Sequence, residues 1–130
     1  MCLGTVDLKP KRKKGVGYKV VSNDHETGGY RTGLIKGEPR PLTGEWMIDT
    51  EDEVIHGDYG DYPTGFHLSD SLSGVDEFAK RCGWYEYPVV KVEYRGVVAT
   101  GKQRGYQTIV AREIRLVGLV REDSRPIARR

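Results

Sequence analysis

Between Pro88 and Val120 the chain is dominated by residues that favour extended backbone, and this stretch limits the possible fold more than any other part of the sequence. Val90, Val92 and Tyr94 alternate with Lys91 and Glu93, the two-residue period of a strand with one buried face. Arg95-Gly96 reads as a tight turn into a second strand at Val97–Thr100, and the glycines at 101 and 105 read as the next break. Gln107 to Val120 is a long β-branched run whose spacing puts Val110, Ile114 and Leu116 on one face. Segments of this kind need sheet partners. The expectation is therefore an α+β domain built mainly on an antiparallel sheet.

The rest of the chain supplies partners and one helix. Gly15-Val-Gly17 leads into Tyr18-Lys-Val-Val21, the first strand candidate, and Trp46-Met-Ile48 is a short apolar island suited to an edge strand. Gly65-Phe-His-Leu68 reads as a short buried strand. Residues 22–45 hold many glycines and prolines and predict turns and short strands. Residues 49–64 read as an acidic loop in which Val54-Ile55 pairs briefly. The helix is expected over 71–82. Ser71 or Ser73 can cap it, and Asp76 and Glu77 suit its first turn. Lys80 and Arg81 suit its last turn, and Gly83 can end it. Leu72, Val75, Phe78, Ala79 and Cys82 fall on one side at helical spacing.

Charge divides the chain into thirds. Residues 1–43 carry net +5, residues 44–80 net −9 and residues 81–130 net +6, so the overall +2 hides a strong segregation. Such an arrangement lets an acidic middle lie against basic ends, or displays one face of each sign to a charged partner. Lys9, Lys11, Arg12, Lys13 and Lys14 crowd around Pro10, and like charges this dense resist packing. The expected organisation is a flexible basic arm at 1–15, one domain at 16–120 and a basic tail at 121–130. No apolar run approaches the roughly 20 residues that span a bilayer, and no secretion signal is expected at the N-terminus. Cys2 and Cys82 lack metal or redox spacing, which points to a reducing, cytoplasmic setting.

Candidate chemistry is sparse. The basic cluster Lys9–Lys14 could contact phosphates or an acidic protein face. Tyr59, Tyr62 and Trp84, with Phe66, Tyr85 and Tyr87, form an aromatic set around the helix that suits either a partner interface or the core. His67 needs a hydrogen-bonding partner before it can act as a base, and as a lone histidine within a strand it reads first as structural. The acidic loop residues Asp49, Glu51, Asp52, Asp58 and Asp61 do not follow the spacing of a calcium-binding loop, so no metal is expected. Cys2 would become N-terminal on removal of Met1, but no other motif supports a nucleophile there.

Two resemblances bear on function. Tyr18-Lys19, Gly65-Phe66-His67, Val92-Glu93 and Ala111-Arg-Glu-Ile114 follow one another in the order found in a family of short, uncharacterised phage and bacterial domains, and the likeness covers residues 16–117. That family commonly has a cysteine after Gly-Phe-His, where this chain has Leu68-Ser69. The resemblance implies a small phage-type accessory protein. Its partner would be a host protein or a protein–nucleic acid complex, with inhibition of a defence or nucleic-acid-handling complex as the most concrete form. Separately, Gly65-Phe-His-Leu-Ser69 followed by a helix and paired strands is similar to ADP-ribosyltransferase-like domains. That likeness implies NAD as cofactor and a site made from Arg31, Ser69 and Glu113, although Glu113 can equally pair with a neighbouring arginine on the sheet. The first reading, a non-catalytic binder, is preferred. Oligomeric state is left open.

Overall fold

A computed structural model describes residues 5–10, 13–23, 26–32, 41–42, 45–50, 53–57, 60–84, 86–103 and 106–122. In chain order the strands are β1 (Lys14–Val20), β2 (Ser22–Asn23), β3 (Tyr30–Arg31), β4 (Met47–Ile48), β5 (Val54–Gly57), β6 (Gly60–Pro63) and β7 (Phe66–Ser69). Helix α1 (Leu72–Cys82) follows, and then the two long strands β8 (Val89–Gln103) and β9 (Tyr106–Arg121). The fold is therefore mostly antiparallel sheet with one helix packed on it, as the alternation of the C-terminal half requires. Strand order in the main sheet is β4-β9-β7-β1-β8, and β8 also pairs with β9. That extra pairing closes the sheet on itself. β9 is flanked by β8 on one edge and by β7 and then β4 on the other, while β1 bridges β8 and β7.

The closure depends on a corner in the β8–β9 hairpin. Val90, Val92 and Tyr94 face the main core, Arg95 and Gly96 both face out, and Val97 faces in again. β9 does the same opposite. Ile109 and Ala111 face in, Arg112 and Glu113 turn outward, and Ile114 and Leu116 face in. Each strand thus changes the parity of its buried side at the same level, and the ribbon bends there. Gly96 carries the bend with φ +68°, a left-handed conformation that costs other residues. Arg95-Gly96 is consequently a kink within one continuous strand and not the expected turn. β8 runs through it because it has partners on both sides, β1 and β9, which a tight hairpin at residue 96 would remove. Further irregularities fall between Val97 and Ala99, Lys91 and Val92, and Val89 and Val90, and such bulges sharpen twist. The corner also corrects the expected face of β9. Val110 leaves the face of Ile114 and Leu116 and packs with Tyr62 and Ala99 in a second cluster.

β5 and β6 form a hairpin over that second cluster, so the acidic stretch is more ordered than a loop. Its residues 51–52 and 58–59 lie outside the described set. The helix begins as the sequence indicates. Ser71 is the cap, its hydroxyl accepting from Gly74 N at 3.0 Å, and Gly83 closes the C-terminus. Asp76 and Glu77 fall beyond the first turn. Asp76 instead pairs with Arg121 at the end of β9, tying helix to sheet. Only part of the expected apolar side is covered. Val75 and Ala79 are buried against Val20 and Val89, Phe78 is half-buried, and Leu72 is exposed.

The N-terminal boundary also differs from expectation. β1 begins at Lys14, and residues ahead of it continue along the open upper edge of β8. Asp7 and Thr100 exchange two backbone hydrogen bonds, at 2.7 and 2.9 Å. Lys102 N donates to Thr5 Oγ1, Val97 N donates to Lys13 O, and Pro10 is buried. A free strand edge offers unpaired amides and carbonyls, and this segment satisfies them where a flexible arm would not. Residues 11–12, within the expected arm, and 123–130, the body of the expected tail, are outside the described set.

Two substitutions test this account. Gly96→Ala should lower stability by about 1 kcal/mol through backbone strain alone, because the added Cβ meets nothing closer than Arg112 Cβ at 3.6 Å. Tyr94→Phe should raise stability by about 1 kcal/mol, because the Tyr94 hydroxyl is buried without a hydrogen-bond partner. Denaturant unfolding of both variants beside the parent protein measures each difference.

Candidate functional site

β1 and β7 touch at a single register pair, Tyr18 opposite Ser69, and then diverge. Close approach at that point depends on Gly17, where a Cβ would collide with Leu68 Cδ1 and stand 2.7 Å from Ser69 O. Beyond it the gap between the strands opens into a cavity of about 340 Å³ beside α1. Its wall combines Tyr18, Lys19 and Val20 of β1, Phe66 to Ser69 of β7, Val75 and Phe78 of α1, and Trp84, Thr32 and Thr108. Phe78 and Trp84 meet edge to face at 5.8 Å between ring centres, so that part of the wall is aromatic and braced.

Lys19 is the polar centre of this wall. Strand alternation places it between Gly17 and Val21, both buried, on the inward side of β1. Its Nζ crosses the gap and donates to His67 O at 2.6 Å. The residue as a whole is half-buried, but its amine is shielded from water, and that burial lowers its pKa to about 8. His67 faces a different neighbour with its ring. Its Nε2 is 3.1 Å from the Tyr62 hydroxyl, and the two rings meet edge to face. Burial first, and then the Lys19 charge, push the imidazole down to about 4, against a smaller opposing effect from a backbone hydrogen bond at Gly65. His67 is thus neutral at physiological pH, and Lys19 is the cation of the pair.

The residues singled out from sequence are distributed unevenly. Tyr62, expected at a partner surface, is 1% exposed and belongs to the core with Ala99 and Val110, because the β5–β6 hairpin folds it inward. Trp84 is half-buried on the cavity wall. Tyr59, Lys11 and Arg12 lie outside the described residues. Lys9, Lys13 and Lys14 are exposed. The NAD site expected from Arg31, Ser69 and Glu113 is not assembled. Ser69 lines the cavity and pairs with Thr108, whereas Glu113 lies five residues farther along β9, roughly 16 Å at the usual strand rise. Glu113 is occupied by Arg95 at 2.9 Å. Arg31 sits on β3 opposite Ser22, next to Thr32 of the cavity wall. Among the described residues no group of three or more His, Cys, Asp or Glu side chains could hold a metal.

The ion pairs among the described residues brace the sheet and the helix. Glu93 pairs with Arg115 and Glu113 with Arg95, each across the β8–β9 ladder, and both guanidinium groups lie over the Trp46 ring at 4.9 and 3.9 Å. This stack holds β4 at the edge of β9. Asp76 pairs with Arg121 and Asp61 with His56. Lys9, Lys13 and Lys14 take part in no ion pair among the described residues. Lys19, the cavity lysine, was not singled out from sequence. The signal was present all the same, because Gly17 and Val21 on one side of β1 and Tyr18 and Val20 on the other leave no wholly polar face for a lysine.

Comparison of the chain with protein-family models, with curated proteins and with solved structures finds no match in any of the three.

The lowered pKa of His67 sets a pH dependence on the acid side. The unfolded chain binds a proton at His67 near 6.5 and the folded chain only near 4, so stability is complete above 6.5 and is lost as pH falls toward 4. The full effect is on the order of 3 kcal/mol. Unfolding curves at steps from pH 7 to 4 should show a steeper loss for the parent protein than for His67→Gln, which lacks the titrating ring.

Proposed function

We propose that this α+β domain is a non-catalytic binding protein, of the small phage-type accessory kind, that docks on an acidic protein surface of a host complex. A defence or nucleic-acid-handling assembly in the cytoplasm is the most concrete form of that partner. One observation carries the reading. Lys9, Lys13 and Lys14 are exposed and take part in no ion pair among the described residues, and the segment that carries them is hydrogen-bonded along β8 at Asp7–Thr100 and Lys13–Val97. A cluster held in place on a sheet edge presents its charge to a partner with less ordering cost than a free arm would. The order of motifs shared with phage domains supports the same class of protein. No observation favours the NAD-using alternative, since Glu113 is paired with Arg95 and lies five residues along β9 from Thr108, the partner of Ser69.

The experiment is capture of partners from a bacterial lysate on immobilised protein, with and without nuclease. The parent protein should retain a partner at about 0.1 M salt and release it near 1 M, where exposed charges are screened within a few ångströms. Lys9→Glu/Lys13→Glu/Lys14→Glu should reduce retention at least tenfold at low salt. Retention unchanged by the triple variant overturns the proposal. Loss of the captured material on nuclease treatment replaces the protein partner by nucleic acid.

A further inference from the structure

The cavity where β1 and β7 part contains an unspent cationic donor, and it lies apart from the basic edge invoked above. Lys19 carries three N–H bonds as an ammonium, and one is committed to His67 O. With a pKa near 8 the amine is still mainly protonated at neutral pH. A charge held in a shielded site with donors to spare is costly unless an acceptor reaches it. Methionine or leucine would fill the same strand position without that cost. Around the amine the wall is apolar and aromatic, with Phe66, Phe78 and Trp84 on it, and the hydroxyl residues Ser69 and Thr108 lie at its buried end. At about 340 Å³ the space sits at the small end of ligand pockets, which run from roughly 300 to 1,000 Å³.

We infer that this cavity is a binding site for a small aromatic carboxylate, its ring against Phe78 and Trp84 and its carboxylate on the Lys19 ammonium. The charge of the ligand follows from the donor. His67 is neutral, so Lys19 provides the cavity's positive charge. The ring follows from the wall, where flat apolar groups gain contact with Phe78 and Trp84 at little ordering cost. The carboxylate supplies the acceptors that the amine lacks, and the His67 carbonyl keeps the amine aimed across the gap. The site is independent of the docking edge, because Lys9, Lys13 and Lys14 do not line it.

The test uses 2-naphthoate and its neutral counterpart 2-naphthamide, titrated calorimetrically into the full chain. Naphthoate should bind saturably at one site and at least tenfold more tightly than the amide. Lys19→Met should abolish that preference, while Phe78→Ala should weaken both ligands. Backbone amide shifts should change at residues 18–20 and 66–69. Equal binding of the two compounds by the parent protein, no saturable binding, or shifts centred on residues 9–14 each overturn the inference. Because the decisive comparison is made on the parent protein, it stands even if Lys19→Met fails to fold. The basic-edge triple variant should bind naphthoate as the parent does, which separates failure here from failure of the docking proposal.

Discussion

Closure of the sheet rests on the corner at Gly96 and Arg112. A flat β8–β9 ribbon of this length would bury one face along its whole extent and leave β7 and β1 on opposite edges with no means of meeting. The paired change of parity divides the ribbon into two limbs. The lower limb pairs with β1, the upper limb of β9 pairs with β7, and the bend brings β1 and β7 within reach of each other. Glycine is needed at the point where the backbone turns left-handed. Arg95 and Glu113, facing out at the bend, are free to form the ion pair that stacks on Trp46.

The cavity is the residue of that closure. β1 and β7 meet at one pair and then separate, because β1 follows the lower limb of β8 while β7 follows the upper limb of β9. A gap between strands leaves backbone carbonyls without ladder partners, and Lys19 spans it to the His67 carbonyl. The helix then lies across the opening through Val75, Phe78 and Ala79. Fold and candidate site therefore share a cause: the seam that closes the sheet is paired at one residue, and the gap beyond it is the pocket.

Electrostatics divides into a local part and a displayed part. The ladder pairs Glu93–Arg115 and Glu113–Arg95 are half-exposed, and each contributes little alone. Their stacking on Trp46 gives them geometry, and so they fix β4. Asp76–Arg121 does the same for the helix and the end of β9. Because these pairs join residues between 76 and 121, they leave the N-terminal lysines out of the internal neutralisation.

The local signals in the sequence were sufficient for the elements. Alternation at 88–120 determined strands, Ser71 and Gly83 determined the ends of the helix, and Trp46-Met-Ile48 was recognisable as an edge strand, because caps and two-residue periods act within a few residues of chain. Only the tertiary structure decided how those elements pair. It made Arg95-Gly96 a corner, since the choice between a turn and a bend depends on whether β1 occupies the far edge of β8. It buried Tyr62 under Val110, separated Ser69 from Glu113, and set the lysine of Tyr18-Lys19-Val20 facing inward across a gap. Each of those outcomes depends on strands more than forty residues apart coming together, and no periodicity within one segment carries that information.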